Sequence, residues 1–286
     1  MNYAKILKDK LQQRRALIVP GAANALAARV IESLGFEAVY LSGAGLTNTF
    51  YGLPDLGFIN LSDLAQHTSA IKDAARLPLI VDADTGFGNA LNVRQTIKVL
   101  ERAGADAVQL EDQDSPKRCG HFNDKAVITT GEMVGKIKAA VDAKINPDFM
   151  IIARTDANAV LGLDAALERA QAYKEAGADV IFVEAPRNLD EIKRIAKSLD
   201  VPQIINIVIG GKTPTLSHQE LKEMGFGMVL YANAALQGAV IGMQNALGKL
   251  KDSGQLEESS GLVASFELRQ SLVQKPLMDQ LESKYK

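Results

Sequence analysis

The sequence lacks most features of secreted, membrane and nucleic-acid-binding proteins. Its 286 residues contain a single cysteine, Cys119, which excludes an internal disulfide and a zinc site made of several thiolates. No run of about 18 apolar residues occurs, and the charged N-terminus has no apolar core of signal-peptide length. We therefore expect a cytoplasmic protein with no membrane partner.

An excess of charge of one sign is also missing, since 32 Lys and Arg face 34 Asp and Glu and the formal net charge is −2. Both signs are interspersed, so there is no basic face for a phosphate backbone and nucleic acid is not an expected partner. Hydrophobic residues make up 47% and charged residues 23%, the balance of a globular protein with a large core. The length allows a single α/β barrel or two smaller domains.

Eight short apolar runs rich in Val, Ile and Leu recur along the chain. Their apolarity is continuous rather than alternating, which is typical of strands covered on both faces in a parallel sheet. The runs lie at 17–22, 38–43, 77–84, 107–113, 150–156, 180–186, 202–208 and 228–233. Amphipathic stretches of helical length separate several of them, at 91–105, 131–144, 162–178 and 188–199. This alternation predicts βα units.

Two observations favour a closed (β/α)8 barrel of the TIM type over an open doubly wound sheet. The segment AGADAVQLED at 103–112 recurs as AGADVIFVEA at 176–185, which indicates one helix-end, turn and strand unit used twice. The segment GAANALAARV after the first run lacks the phosphate-binding glycines of a doubly wound sheet. We therefore predict one barrel domain over 1–286, with 234–286 forming additional C-terminal helices used in subunit packing.

Polar residues end nearly every apolar run, and the carboxyl ends of the strands form the active site of such a barrel. These residues are Ser42, Asp82, Asp84, Glu111, Asp112, Arg154, Asp156, Glu184, Asn206 and Asn233. So many carboxylates around one opening would repel each other without a cation, and oxygen ligands select Mg²⁺ or Mn²⁺. Any single acid could instead cap a helix or pair with a lysine, but the whole set predicts a metal.

Spacing and residue type refine this site. Asp82 and Asp84 are two residues apart, and we expect them on opposite faces, with at most one in direct contact with the metal. Arg154 ends the fifth run, where its planar guanidinium suits a substrate carboxylate. We therefore expect an anionic small-molecule substrate.

The segment KRCGH at 117–121 surrounds the single thiol with charge. Lys117, Arg118 and His121 lower the cost of a thiolate at Cys119, and Gly120 gives the loop freedom to fold over a ligand. Lone cysteines are more often small buried hydrophobes, but these charged neighbours do not suit a core position. The segment predicts a thiol that exchanges a proton near neutral pH, and covalent catalysis stays open as an alternative.

Seven segments together resemble the isocitrate lyase and phosphoenolpyruvate mutase superfamily, over nearly the whole chain. They are YLSGAG (40–45), GLPDLG (52–57), VDADTGFG (81–88), LEDQ (110–113), PKRCGH (116–121), ARTDA (153–157) and VEAP (183–186). The branch indicated is the short lyases of the 2-methylisocitrate and 2,3-dimethylmalate type. The resemblance also implies a homotetramer whose terminal helices exchange between neighbours, a role that 266–285 could serve.

The resemblance implies a role for each polar residue of the site. In the metal site, Asp82 binds Mg²⁺ directly and the groups around its waters are Asp55, Asp84, Glu111 and Lys117. The substrate-binding residues are Ser42, Gly43, Arg118, Gly120, Arg154 and Asn206. The catalytic set is Tyr40, Lys117, Cys119, His121, Arg154 and Glu184, in which Cys119 protonates the departing carbanion. The base that removes the hydroxyl proton stays open between Tyr40, Arg154 with Glu184, and a metal-bound hydroxide.

One departure from the superfamily bears on the substrate. Methylisocitrate lyases resemble N-I-T-E-F-G-x-T-P at the seventh strand, whereas this chain reads NIVIGGKTP at 206–214 and places Val208 and Ile209 where a third carboxylate would need polar groups. This favours a dicarboxylate such as 2,3-dimethylmalate. The leading interpretation is a Mg²⁺-dependent lyase that cleaves a substituted malate or 2-methylisocitrate to pyruvate and a carboxylic acid. The alternatives are oxaloacetate hydrolysis or decarboxylation, phosphonate P–C chemistry and a non-catalytic barrel that binds a keto acid.

Overall fold

The structure of the protein is a computed structural model that describes residues 1–118, 125–211, 213–214 and 216–286. The predictions for three residues of the KRCGH segment fall outside the described residues, namely those for Cys119, Gly120 and His121. Lys212 of the GGKTP segment lies outside them as well.

Eight parallel strands close into a barrel in chain order, and the predicted (β/α)8 fold is confirmed. The strands are β1 Leu17–Ala22, β2 Val39–Leu41, β3 Leu79–Asp82, β4 Ala107–Glu111, β5 Met150–Thr155, β6 Val180–Val183, β7 Gln203–Asn206 and β8 Met228–Tyr231. Each lies within one of the eight apolar runs. The last strand returns to the first, with Leu17 beside Met228, so the barrel has no open edge.

Most helices lie between two strands and cover the outside of the barrel, while one precedes β1 and three α-helices follow β8. They are α1 Tyr3–Gln12, α2 Ala25–Ser33, α3 Gly43–Tyr51, α4 Leu61–Ala74, α5 Ala90–Arg102, α6 Thr130–Ala143, α7 Ala157–Leu161, α8 Leu163–Glu175, α9 Leu189–Ser198, α10 His218–Glu223, α11 Ala234–Ser253, α12 Phe266–Leu272 and α13 Lys275–Tyr285. Side-chain caps define where several helices begin. Asn60 and Asn89 each accept hydrogen bonds from backbone N–H groups in the first turn of the helix that follows. The four predicted helical stretches correspond to α5, α6, α8 and α9.

The core has two apolar layers, one between strands and helices and one inside the barrel. Leu7 and Leu11 of α1 belong to the inner layer, together with Val19 and Met228. A Cβ on Gly227, just before β8, would lie 3.2 Å from the Leu11 carbonyl oxygen, so α1 covers the end at which the strands begin. The polar residues at the other end therefore face an opening above a closed, apolar floor.

The C-terminal helices α11, α12 and α13 are described in full, and none of their residues is buried. Large apolar side chains are nevertheless exposed there, for example Leu247 at 60% and Phe266 at 64%. A 20-residue helix with an exposed apolar face is typical of a surface that packs against another subunit. Among the described residues, no helix combines the length and the apolarity that crossing a membrane requires.

Candidate active site

The polar strand ends converge on one pocket at the carboxyl end of the barrel. Its lining comprises Tyr40, Ser42, Ala44, Asp55, Asp82, Lys117, Arg118, Arg154, Phe182, Glu184, Asn206, Val208, Leu230, Ala232 and Asn233. Three more predicted residues lie against this group, since Asp84 lies 2.9 Å from Lys117, Gly43 adjoins Asp84, and Glu111 lies 3.4 Å from Arg154. The structure thus brings together the predicted site residues that it describes, and their roles stay predictions.

A buried lysine lies among the acids of the pocket. The Lys117 side chain is 6% exposed, with its Nζ 2.6 Å from Asp55 Oδ1 and 2.9 Å from Asp84 Oδ1. Burial works to lower the pKa of Lys117, but the charges of Asp84 and Asp55 outweigh it and hold the pKa well above its usual value. Lys117 is therefore a fixed cation that partly offsets the charge of these carboxylates.

Asp82 and Asp84 both face the first turn of α3, and the prediction of opposite faces is wrong, because residues two apart in a strand share a face. β3 ends at Asp82, and Asp84 has a left-handed backbone with φ of 49°, so strand alternation stops before Asp84. A Cβ on Gly43 would lie 3.0 Å from Asp84 Oδ1 and 3.5 Å from Asp82 Oδ2. Glycine at 43 therefore permits two carboxylates to approach the start of this helix.

Protonation in the pocket reflects its surplus of acids. Burial raises the pKa of Asp84 to about 7, against the opposing effect of Lys117, and the neighbouring Asp82 and Asp55 raise it further. Burial likewise holds the pKa of Glu111 well above its usual value despite Arg154, and Glu111 Oε1 has no hydrogen-bond partner among the described residues. Such acids gain stability from an additional cation.

The acids fit a divalent metal held largely through water. Among the described residues, no three Asp, Glu, His or Cys side chains are grouped as a complete ligand set. Mg²⁺ is commonly held by one or two carboxylates and keeps several waters, so a complete protein cage is not required. The donor chemistry of Asp82, Asp84 and the unpartnered Glu111 oxygen meets that requirement.

Arg154 is held rigidly at the side of the pocket. Its Nε and Nη2 donate to the two Asp156 oxygens at 2.9 Å and 3.1 Å, and its guanidinium carbon lies 5.2 Å from the centre of the Phe182 ring. Its remaining Nη1 lies 3.6 Å from Glu184 Oε2. A paired guanidinium of fixed orientation is suited to a planar carboxylate.

Asp112 faces away from the pocket, contrary to its prediction as a member of the acidic cluster. It accepts hydrogen bonds from Tyr173 at 2.8 Å and Arg169 at 3.1 Å, both on α8. It also accepts from the Asp156 backbone N–H at 2.9 Å. Since Glu111 points inward, the next residue in the strand direction points outward, and Asp112 supports the wall behind the site.

Tyr40 is a neutral phenol at the floor of the pocket. It is 2% exposed, and burial first, then the charge of Asp82, raises its pKa well above the usual value. A group that ionises so reluctantly is a poor general base at neutral pH. Its role as the base stays one of the predictions made from the sequence.

The start of α3 adds positive potential to the pocket. Ser42 caps this nine-residue helix, its Oγ accepting the Gly45 N–H at 3.1 Å, and both Ser42 and Ala44 line the pocket. The N-terminus of a helix favours an anion through its dipole and its unpaired N–H groups. Across the pocket, Ser42 Oγ donates to Asn233 Oδ1 at 3.5 Å.

Two supporting residues escaped the sequence analysis. Gln109 is fully buried and donates from Nε2 to Asp82 Oδ1 at 3.1 Å. Its signal was present, because it is a polar residue two positions before Glu111 and therefore on the same face of β4. Lys125 contacts Asp156 at 2.6 Å, and no periodic pattern marks that position.

The base of the KRCGH segment is fixed by hydrogen bonds. Gln113 donates to the Arg118 carbonyl at 2.8 Å and accepts the Arg118 N–H at 2.9 Å. Gln113 also forms an antiparallel bridge with Val127, beyond the segment. These contacts direct Arg118 to the pocket that it lines.

Comparison with known proteins identifies the relatives of this chain. Residues 7–251 match the family described as phosphoenolpyruvate phosphomutase. The chain is 45% identical over 252 residues to 2,3-dimethylmalate lyase of Eubacterium barkeri, covering 88% of this chain and 87% of that protein. This chain belongs to the phosphoenolpyruvate mutase/isocitrate lyase superfamily. A second member of the superfamily, 2-methylisocitrate lyase of Aeropyrum pernix, is 44% identical over 249 residues, covering 87% of this chain and 80% of that protein.

Solved structures of this superfamily superpose closely on the barrel. A 2,3-dimethylmalate lyase structure gives a TM-score of 0.93 at 33% identity, covering 100% of this chain and 96% of the other. The structure of oxaloacetate acetylhydrolase with 3,3-difluorooxalacetate gives a TM-score of 0.92 at 32% identity, covering 99% of this chain and 97% of the other. The structure of phosphonopyruvate hydrolase with oxalate and Mg²⁺ gives a TM-score of 0.89 at 32% identity, covering 100% of this chain and 99% of the other. The resemblance drawn from the motifs is confirmed.

Proposed function

We propose that this superfamily member is a Mg²⁺-dependent carbon–carbon lyase that cleaves a substituted malate of the 2,3-dimethylmalate type to pyruvate and a carboxylic acid. The observation that carries the proposal is the pocket itself. A rigid guanidinium at Arg154 and the N-terminus of α3 face a cluster of buried acids that are short of cations. The 45% identity to a 2,3-dimethylmalate lyase supports the same reaction class.

The pocket wall favours a dicarboxylate over a tricarboxylate. Val208 lines the pocket and offers no donor to a third carboxylate. Ile209 is 55% exposed and does not line it, so the restriction rests on Val208 alone and not on both residues as first expected. Because relatives at similar identity include 2-methylisocitrate lyase, this apolar wall decides our preference for a malate.

The acids at the ends of β3 and β4 would hold the metal. We assign Asp82 as a direct ligand, with Asp55, Asp84 and Glu111 accepting hydrogen bonds from the waters that Mg²⁺ or Mn²⁺ retains. When bound, the ion stabilises negative charge that develops on substrate oxygens. Lys117 stays protonated beside these acids and limits their mutual repulsion.

The protein side chains position the substrate and manage its protons. Arg154, Ser42 and Gly43 bind the carboxylate next to the hydroxyl, and Asn206 completes the pocket. As the hydroxyl proton leaves, the neighbouring C–C bond breaks, the hydroxyl carbon becomes the ketone of pyruvate, and the electron pair passes to the departing carbon. With Tyr40 disfavoured as a base, Glu184 beside Arg154 is our assignment for proton removal.

Cys119 is our assignment for the acid that protonates the departing carbon. Its neighbour Arg118 lines the pocket and Lys117 lies within it, so the first two residues of the KRCGH segment lie at the site. His121 and Gly120 belong to the same segment, in which positive charge favours thiolate formation after proton transfer. The assignment itself rests on the sequence.

A pyruvate-release assay tests the proposed function. With pyruvate release coupled to lactate dehydrogenase, we expect turnover of 2,3-dimethylmalate in Mg²⁺, none in excess EDTA, and recovery when Mg²⁺ is restored. We expect 2-methylisocitrate to react at least about 10-fold less efficiently, the discrimination one badly matched polar group gives. Pyruvate from neither substrate would contradict the lyase. Acetate plus oxalate from oxaloacetate would instead favour the hydrolase, the activity named for one solved relative.

We also propose that 1–286 is one domain that assembles as a cytoplasmic homotetramer through 234–286. The exposed apolar side chains of α11 to α13 support this assembly. Light scattering should give a tetramer for the native chain and a smaller species for Leu247→Glu, which places a charge in that apolar surface. The control is Ile145→Glu, because Ile145 is 71% exposed and lies apart from the C-terminal helices. A native monomer, or equal loss of assembly in both variants, would contradict the proposal.

A further inference from the structure

Asp156 lies between two cations in the wall of the pocket. Arg154 donates to both of its carboxylate oxygens, and Lys125 Nζ lies 2.6 Å from Asp156 Oδ1. The three side chains are almost fully enclosed, with exposed fractions of 10% for Arg154, 2% for Lys125 and 0% for Asp156. Charges at these distances and this burial interact strongly, because little water screens them.

Backbone contacts fix both ends of this arrangement. The Asp156 N–H is held by Asp112 at 2.9 Å, and the Ile128 N–H donates to the Asp112 carbonyl at 2.9 Å. Next to Lys125, the Ala126 carbonyl accepts the Asp114 N–H at 2.9 Å. Lys125 thus reaches Asp156 from a segment tied to the same part of the wall, and the ion pair does not depend on a freely moving side chain.

The charges around Arg154 would otherwise be unfavourable for an anionic ligand. Besides Asp156, Glu111 Oε2 lies 3.4 Å from Nε, and Glu184 Oε2 lies 3.6 Å from Nη1. Asp156 consequently serves as the anchor that orients the guanidinium and also as one of the negative charges that weaken its attraction for a carboxylate. Lys125 does not line the pocket, and as a second cation on Asp156 it offsets that charge from behind the wall.

We propose that Lys125 is a positioning residue that, by sharing Asp156 with Arg154, leaves the positive charge of Arg154 available to the substrate carboxylate. The inference rests on the proposed function in taking Arg154 as the carboxylate-binding residue. It concerns binding rather than the bond-breaking step, so equilibrium affinity for a small dicarboxylate reports on it directly.

The test is a double-mutant cycle on oxalate affinity, measured by titration calorimetry in Mg²⁺. Lys125→Met should weaken oxalate binding at least about 10-fold in the native background, the size of coupling that contacting charged groups show. In an Asp156→Asn background the same change should cost less than about 3-fold, because no charge remains to be offset. Lys125→Arg should keep the native affinity within about 3-fold, since it retains the charge.

Lys72→Met is the matched control. Lys72 forms a comparable ion pair with the largely buried Asp106, at 2.5 Å, but that pair lies outside the pocket. Losing it should lower the midpoint of thermal unfolding and leave oxalate affinity unchanged. This separates a general loss of stability from the charge effect assigned to Lys125.

Three outcomes would overturn the inference: no loss of affinity in Lys125→Met, an equal loss in both backgrounds, or no oxalate binding by the native protein. An equal loss of oxalate affinity in both backgrounds would mean that Lys125 has only a structural role in this segment. Failure of the proposed function looks different, because native protein that binds oxalate but cleaves no malate refutes the lyase and still permits the cycle to be measured.

Discussion

Replacing Arg154 with methionine should lower kcat/KM for 2,3-dimethylmalate by at least about 10³-fold. Removing one partner of a buried charge pair costs about 2–5 kcal/mol, and each 1.4 kcal/mol is a factor of ten. Here the loss is near the upper end, because Arg154 would face the ligand while held by Asp156 and stacked near Phe182. The measurement is the coupled pyruvate assay on variants whose far-ultraviolet circular dichroism matches the native protein.

The Arg154→Lys variant distinguishes charge from geometry. Lysine keeps the positive charge but lacks the planar fork with which arginine pairs with both Asp156 oxygens and still presents Nη1. We expect Arg154→Lys to reach no more than about a tenth of the native kcat/KM, so that at least about 1.4 kcal/mol of transition-state stabilisation stays lost. Arg194→Met is the control, since Arg194 pairs with the exposed Asp164 on the surface. Native efficiency in Arg154→Met would mean that another group binds the carboxylate.

The strands were predictable because parallel barrel strands are covered on both faces. Each must then be apolar throughout, and the run LIVPGA at 17–22 coincides with β1. The carboxyl end of each strand was equally readable, since polar residues there have no place in the core. Ser42, Arg154, Glu184 and Asn206 all line the pocket as expected.

Two errors concern which way the side chains at the strand ends point. Alternation was misapplied to Asp82 and Asp84, because residues two apart share a face, and Asp84 in any case follows the end of β3 with positive φ. For Asp112 the same alternation was available and would have been right, because Gln109 and Glu111 define the inward face of β4. The prediction grouped all polar residues at the strand ends and so did not separate Asp112, which points outward, from Glu111, which points inward.

Ion pairs between residues on different loops could not be predicted from the sequence. Lys117 meets Asp55 across 62 positions and Lys125 meets Asp156 across 31, through segments with no periodic signal. Such contacts depend on how far each loop folds back over the barrel, which residue type does not specify. The sequence could mark Lys117 by its neighbours in KRCGH, whereas nothing set Lys125 apart.

The second large effect concerns Cys119. We expect Cys119→Ser to lose about 10²- to 10⁴-fold in kcat, the range that a positioned general acid contributes. A serine hydroxyl has nearly the size of the thiol but is a far weaker acid, so the departing carbon would lack its proton donor. Oxalate affinity in Mg²⁺ should stay within about 3-fold of native, because the groups that bind the carboxylate are untouched.

The contrast between kcat and affinity makes this variant decisive for the role of the thiol. A buried structural cysteine would tolerate serine with a small loss of stability and no loss of turnover at saturating substrate. A residue that only binds ligand would lose oxalate affinity together with activity. Cys119→Ala serves as the control for size, and it should be as slow as the serine variant if proton donation is what is lost. Native kcat in either variant would exclude the thiol as the acid and make His121, which belongs to the same KRCGH segment and to the predicted catalytic set, the next group to test.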